Sequence, residues 1–231
     1  NGFYRFSKDF INFIADTSVN GNHRNFVDIT IQINKYLIKQ PEDEFKKVSH
    51  QRFRLNKIFV YPDFEPKEAI SREDEYLENL DTIEYKGVHF IYKGDPGIKL
   101  NLVNQSNYLK TGDWYNQNDV NSTYDHLNSL RLFKLINIKF QETNAIDSSG
   151  EKYLNAYIYL KKVKLQSYTI ELEGTNSSGN LGGAGNLVYR HKSLFGAAEN
   201  FETKLTGAFE ILDPEKFNRI DNTVKIGAEF N

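Results

Sequence analysis

Residues 167–212 read SYTIELEGTNSSGNLGGAGNLVYRHKSLFGAAENFETKLTGAFEIL. From Tyr168 to Leu172 apolar and polar residues alternate, with Tyr168, Ile170 and Leu172 on one side and Thr169, Glu171 and Glu173 on the other. A segment rich in Gly, Asn and Ser follows and reads as a turn. A second run, Asn186 to His191, sends Leu187 and Tyr189 to one face and Asn186 and Arg190 to the other. A third sets Phe201, Leu205, Phe209 and Ile211 against Glu202, Lys204, Thr206 and Glu210. The final residues repeat the pattern, Val224, Ile226, Ala228 and Phe230 against Thr223, Lys225, Gly227 and Glu229. Segments of about ten alternating residues joined by turns are the signature of a transmembrane β-barrel, apolar towards lipid and polar towards a lumen. The same alternation fits an antiparallel sheet with one face on a soluble core. The polar faces here are charged rather than merely polar, as a wet interior would be.

Composition sets the outer limits. The chain has 231 residues, enough for one large or two to three small domains. Its net charge of −2 leaves no electrostatic footprint for nucleic acid. With no cysteine it has neither a disulfide framework nor a thiolate metal site. The 14 Tyr and 17 Phe suit strands. No run of about eighteen apolar residues predicts a transmembrane helix. The chain starts Asn1-Gly2 without Met and reads as a mature or partial piece of a longer protein.

Working outward, residues 2–10 read as the tail of a helix turning into a strand in which Ile11, Phe13 and Ala15 alternate with Asn12, Ile14 and Asp16. Asn20-Gly21-Asn22 is a hairpin turn, and the returning strand places Val27, Ile29, Ile31 and Ile33 inward. Lys39 to Lys47, with Pro41, reads as a charged connector. Arg52 to Tyr61 is a strand stopped by Pro62, and residues 63–79 are acidic and loop-like. Residues 81–93 form a short hairpin about Lys86-Gly87, and Pro96-Gly97 breaks the chain again. A short helix over 98–109 is followed by a second one capped by Asn116 or Asn118, with Val120, Tyr124, Leu127 and Leu130 on one stripe. Lys134 to Phe140 is a strand with Ile136, Ile138 and Phe140 on one face. After a turn at Asp147-Ser148-Ser149-Gly150, Leu154, Ala156, Ile158 and Leu160 line the inner face of its partner. Residues 2–34 and 124–163 share a plan, which makes a weak internal repeat.

The opening of the 167–212 stretch resembles the start of the barrel in the BamA/TamA superfamily of outer-membrane assembly proteins. The residues that carry the resemblance are Ser167-Tyr168, Glu171-Leu172-Glu173-Gly174-Thr175-Asn176-Ser177, Gly182, Gly185-Asn186-Leu187, Tyr189-Arg190 and Leu194-Phe195. The β-α-α-β-β order before it resembles a POTRA domain, the periplasmic module of that superfamily, through Gly112-Asp113, Tyr115, Asp119-Val120, Leu127, Leu130, Phe133 and Ile136-Asn137-Ile138. The resemblance implies α+β POTRA domains followed by the first antiparallel strands of a transmembrane β-barrel. Residues 1–40 would be the C-terminal part of one POTRA domain, 41–165 a complete one with an insertion at about 63–98, and 166–231 the first, incomplete set of barrel strands. The superfamily's Arg-Gly-Phe/Tyr motif of a later barrel loop is absent from this chain.

Other chemistry finds little support. His23, His50, His89, His126 and His191 show no metal-ligand spacing with one another or with paired carboxylates, and read as surface histidines. No nucleophile elbow is present. Gly179, Gly182, Gly183 and Gly185 lack the Lys-Ser/Thr or the βα crossover of a phosphate loop and fit a flexible hairpin better. Asn121-Ser122-Thr123 and Asn176-Ser177-Ser178 match the glycosylation triplet, a pattern common by chance. The acidic runs at Glu42–Glu44 and Glu73–Glu75 read as solvated loops. The expectation is a protein that is not an enzyme and needs no cofactor or metal.

What the resemblance implies is strand pairing. A sheet edge with unpaired backbone groups accepts an incoming extended chain. The edge of the POTRA-like domain would be Lys134, Leu135, Ile136, Asn137, Ile138, Lys139 and Phe140, with Ile11 to Asp16 as its counterpart in the truncated domain. The strand that templates client strands would be Ser167, Tyr168, Thr169, Ile170, Glu171, Leu172, Glu173 and Gly174. The implied function is folding and insertion of β-barrel proteins in the bacterial outer membrane, with the N-terminal part in the periplasm. Implied partners are unfolded outer-membrane β-barrel precursors, outer-membrane lipid and accessory lipoproteins, and no nucleic acid. Two alternatives stay open: a dedicated secretion translocator of the same superfamily, and a soluble periplasmic binding or adhesion module ending in a β-sandwich.

Overall fold

The computed structural model describes residues 2–16, 28–39, 44–66, 80–146, 150–177, 180–211 and 223–230. They form mostly antiparallel β-sheet with little helix. The elements are β1 (Ile11–Asp16), β2 (Asp28–Ile33), β3 (Tyr36–Lys39), β4 (Phe45–Val48), β5 (Phe53–Tyr61), β6 (Asp81–Tyr85) and β7 (Val88–Tyr92), then α1 (Leu100–Gln105) and α2 (Gln117–Ser129). They continue with β8 (Phe133–Ile146), β9 (Lys152–Lys162), β10 (Gln166–Ser177), β11 (Asn180–Lys192), β12 (Asn200–Ile211) and β13 (Thr223–Phe230). The strands make hairpins β1-β2 and β3-β4, a five-stranded sheet ordered β6-β7-β5-β9-β8, and a four-stranded meander β10-β11-β12-β13.

The core belongs to the five-stranded sheet. Strands β5 and β9 lie parallel at its centre and β8 runs antiparallel to β9. On β9 the alternation predicted from sequence holds, with Leu154, Ala156, Ile158 and Leu160 all at 0% exposure. On β5 the buried residues are Phe53, Leu55, Ile58 and Val60, so the spacing slips from two residues to three. The register shifts between Leu55 and Ile58, and this irregularity restores the apolar phase. Val103 of α1 and Leu127 of α2 belong to the same core cluster. The hairpin β6-β7 joins at the β5 side through a two-residue turn, with Lys86 at φ 53° and Gly87 at φ 78°. Two left-handed residues in succession are what a tight type I′ hairpin requires.

Helix α2 starts as predicted. The Asn116 side chain accepts from the Asn118 amide at 3.1 Å. Its buried stripe differs from the predicted one. Tyr124 is 45% exposed and Thr123 is buried in its place. The Thr123 hydroxyl donates to Asp119 O at 2.7 Å and accepts from the Tyr108 amide at 2.9 Å, so its polarity is satisfied inside. The short helix expected over 98–109 is confined to α1, and residues 2–10 hold no α-helix, only a 3-10 turn at Lys8–Phe10.

Other expectations are also corrected. The charged connector Lys39–Lys47 contains parts of the hairpin β3-β4, in which Leu37 faces Lys47 and Tyr36 faces Val48. The isoleucines of β2 do not point inward. Ile29, Ile31 and Ile33 are 66%, 61% and 58% exposed, because β1-β2 is a two-stranded ribbon whose apolar face meets no second layer among the described residues. Val27 and the Asn20-Gly21-Asn22 turn lie outside those residues, as do most of the acidic stretch 63–79 and the Asp147-Ser148-Ser149 part of the next turn. His50 and His191 are not surface histidines. His191 is 8% exposed, and His50 sits among Phe6, Phe10 and Tyr36 with ring centroids 5.1, 4.8 and 5.1 Å away.

Candidate functional site

The meander is antiparallel throughout, with continuous register from Gln166↔His191 to Ser177↔Asn180 in its first pair. Directly opposed residues share a face. Tyr168, Ile170 and Leu172 therefore lie beside Tyr189, Leu187 and Gly185, and these beside Thr203, Leu205 and Gly207. This face is uncovered. Tyr168, Ile170, Leu172, Phe209 and Ile226 are 69%, 72%, 85%, 55% and 88% exposed. The other face carries Glu171, Glu173, Asn186, Arg190, Glu202, Lys204, Thr206 and Lys225, as the alternation predicts.

The polar face is cross-linked by side chains. Asn186 donates through Nδ2 to Glu171 Oε2 at 3.2 Å and accepts through Oδ1 from the Thr206 hydroxyl at 3.0 Å. These contacts tie three adjacent strands together and fix which way the amide points. Arg190 pairs with Glu202, its direct cross-strand neighbour, at 2.5 Å.

The segment predicted as a Gly-rich turn is largely strand. Gly182, Gly183 and Gly185 all sit within β11. A Cβ at Gly183 would lie 2.8 Å from Phe209 Cε1, and one at Gly185 would lie 3.3 Å from Leu172 Cδ2. Larger neighbours on the apolar face thus cover these glycines, which offsets the usual cost of glycine in a strand.

All eight residues predicted to template a client, Ser167 to Gly174, lie in β10, the first edge of the meander. The backbone pattern identifies which groups face outward. Lys192 donates its amide to Leu165 O at 2.8 Å, which makes this opposed pair a hydrogen-bonded one. Hydrogen-bonded and non-hydrogen-bonded pairs alternate along an antiparallel ladder. Ser167, Thr169, Glu171 and Glu173 therefore bond to β11. Tyr168, Ile170, Leu172 and Gly174 direct their N–H and C=O groups to the open edge, where no strand pairs among the described residues.

The predicted edge Lys134–Phe140 lies in β8, which is also the last strand of its sheet. Its far end is partly covered by a contact that sequence spacing did not signal. Tyr4 donates its hydroxyl to Phe140 O at 3.4 Å, and Arg5 pairs with Glu142 at 2.6 Å. Lys134 to Lys139 pair with β9 on one side and have no strand partner on the other among the described residues. Beside them, Val120, Asn121, Tyr124, Asp125 and Ile138 line a groove of about 420 Å³ between α2 and β8.

The turn between β11 and β12 also meets the five-stranded unit. Lys99 donates its amide to Gly196 O at 2.9 Å. Within the turn, the Glu199 carboxylate accepts the amides of Phe195 and of Ala197, the latter at 2.9 Å. Burial alone would raise the Glu199 pKa, but its own amide, those of Phe195 and Ala197, and nearby Lys99 hold it below the ordinary carboxylate value. Among the described residues no group of three or more His, Asp or Glu side chains is placed to hold a metal ion.

No protein-family model matches the chain. No curated protein matches it either. Among solved structures it is similar to the crystal structure of BamA from Haemophilus ducreyi lacking POTRA domains 1-3, with TM-score 0.41 and 9% identity over 95% of this chain and 36% of that one. It is also similar to CdiB from Acinetobacter baumannii, with TM-score 0.31 and 14% identity over 79% of this chain and 43% of that one. The chain thus spans well under half the length of either structure.

Proposed function

We propose that this chain is the junction of an outer-membrane β-barrel assembly factor, in which β10 offers its free edge to the strands of client barrel proteins. The observation that carries this reading is the combination on one strand of an uncovered apolar face, a charged opposite face and an unpaired edge. On this reading residues 166–231 are the opening strands of a transmembrane barrel and 41–165 a POTRA-like unit, with 63–98 as its insertion. The strand, two helices and two strands of β5, α1, α2, β8 and β9 follow the order that such a unit requires. Residues 1–40 supply the closing hairpin of a second unit, which accounts for the uncovered isoleucines of β2.

Dimensions support the membrane. Strands β10, β11 and β12 have 12, 13 and 12 residues. At about 3.3 Å per residue and a tilt of about 40° they rise about 30 Å, close to the hydrocarbon thickness. A soluble sandwich would need a second layer over Tyr168, Ile170, Leu172 and Ile226. In lipid these residues need no cover, whereas an unpaired amide costs several kcal/mol. The edge of β10 therefore demands a partner strand, either the last strand of the same barrel or one from a client. On this reading the turn bonded to Lys99 lies at the periplasmic rim, with the POTRA-like unit beneath β11 and β12. The driving force is the client's own backbone pairing and burial in lipid, and no nucleotide is needed.

Photo-crosslinking in cells from positions 169 and 171 of the full-length protein tests the reading. The expected result is capture of several outer-membrane barrel precursors. Capture of one exported protein would assign the chain to a dedicated translocator instead, with the charged face of the meander lining its route. Crosslinks only to the protein's own last strand would refute strand templating.

A further inference from the structure

We propose that the outer face of the five-stranded sheet is a contact surface for a second copy of this chain, packed face to face about a two-fold axis close to the direction of β5. The face and its charges stand independently of the strand-addition reading.

The side chains that alternate with the core define this face. His89, Phe59 and Tyr157 each precede a fully buried residue, Phe90, Val60 and Ile158, and so point the opposite way. The register aligns them in one cross-strand row, Glu84, His89, Phe59, Tyr157 and Lys139, on β6, β7, β5, β9 and β8. The three rings stack, Phe59 on His89 at 5.2 Å and on Tyr157 at 5.0 Å, with interplanar angles of 27° and 16°. All three stay half-buried, although the helices lie on the other side of the sheet. The segment after β5 covers only rows further along, with Phe64 against Tyr159 at 4.7 Å and Glu65 paired with Lys161. Glu84 and Lys139 at the ends of the row are exposed and make no ion pair among the described residues.

The order of the row selects its occupant. A two-fold axis along β5 reverses the row, so Glu84 meets the second copy's Lys139, His89 meets its Tyr157, and Phe59 meets its Phe59. Each end gains an opposite charge and the middle gains aromatic contacts. Packed sheets lie about 10 Å apart with their strands about 30° apart. At the ends of the row, about 10 Å from the axis, that angle displaces the partners by about 5 Å, within reach of Lys and Glu side chains. An axis across the strands would instead set Glu84 over Glu84 and Lys139 over Lys139. An unrelated partner would need no row whose ends exchange sign on reversal.

The same axis sends both chains one way. Strand β9 runs parallel to β5 and leads through Val163 to Leu165 into β10, so the two meanders leave at the same end of the pair. On the membrane reading both then enter one bilayer from one side. The row is about 19 Å wide, and the face falls short of the about 800 Å² per partner of a standard interface. Confinement of both copies to a bilayer raises their effective concentration and offsets the small area.

The test follows energy transfer between copies of the full-length protein in phosphatidylcholine vesicles. Donor and acceptor dyes are attached through Asn128→Cys, an exposed position on α2, away from the row. The expected result is transfer that unlabelled protein dilutes out. Glu84→Lys or Lys139→Glu alone should weaken association about ten-fold, because each sets like charges together at both ends of the row. The two substitutions combined restore opposite charges, and transfer should return. No transfer with the natural row, or transfer that either single substitution leaves unchanged, would overturn the proposal. Failure of the combined variant to recover would also overturn it, since the losses would then come from the fold of each copy. Flotation of the vesicles in the same samples reads insertion separately. Protein that stays out of the vesicles would overturn the membrane reading alone, and the same charge exchange would then decide the contact in solution.

Discussion

Strands β9 and β10 are separated by three residues, Val163 to Leu165, and carry the same alternation with opposite consequences. On β9 every second side chain is apolar and fully enclosed, Leu154 to Leu160 all at 0%. On β10 every second side chain is apolar and exposed, 69% at Tyr168 and 85% at Leu172. The period of two records only that the two faces meet different media. What covers the apolar face is decided elsewhere in the chain. For β9 it is the helices, anchored by Asn116 and packed through Val103 and Leu127. For β10 no later segment among the described residues supplies a layer, and under the proposed function a bilayer is the medium that makes the exposure favourable.

The largest expected effect comes from the enclosed strand. Leu160→Ala should destabilise the five-stranded unit by about 2–5 kcal/mol, because the buried methyl groups leave a cavity that the neighbouring strands cannot close. A shifted denaturant midpoint in the full-length protein would register it whether or not lipid is present. A loss that appears only in vesicles would break the contrast, since it would place β9 in the same medium as β10.

Adjacent residues on β10 sharpen it next. Leu172 and Glu173 are neighbours on opposite faces. Leu172→Arg should cost about 2–4 kcal/mol when the protein folds into vesicles, the cost of a cation at the middle of a barrel's lipid face. Glu173→Arg should cost much less, because it exchanges one charge for another on the wet face. Folding titrations of the two variants in vesicles measure the difference directly. Equal losses would mean that the two faces see the same surroundings, and the membrane reading would fail.

The same comparison explains what could be read in advance. Local signals were legible: the alternation of Leu154 to Leu160, the Asn116 cap, the Lys86-Gly87 turn and the two faces of the meander. Long-range compensation was not. Thr123 breaks the apolar stripe of α2; its hydroxyl bonds back to Asp119 O one turn earlier, and only the Tyr108 amide, brought there by folding, completes its partners inside. Gly182, Gly183 and Gly185 read as a turn because glycine weakens strands. Phe209, over twenty residues away, makes one of them acceptable, and Leu172 another. Strands β3 and β4 have 4 residues each, too short for a period to emerge. The eight residues of the candidate template were legible as a strand, but the open edge itself is a property of pairing and could be seen only in the sheet.

The smallest effect concerns the contact that holds the two regions together. Glu199 accepts amides of its own turn, and that turn is bonded to Lys99 of the five-stranded unit. The folded pKa of Glu199 lies below its unfolded value, so its contribution is complete above the ordinary carboxylate range and fades as pH falls through the folded value. Acidification should therefore loosen the turn before it affects either sheet. Amide exchange at Phe195 and Ala197 should quicken as pH drops, after correction for intrinsic rates, while amides in β9 stay protected. Glu199→Gln should remove most of that pH dependence. If exchange at Phe195 and Ala197 follows β9 instead, the turn opens only with the whole unit. The two regions would then be a single cooperative body despite the opposite exposure of their apolar faces.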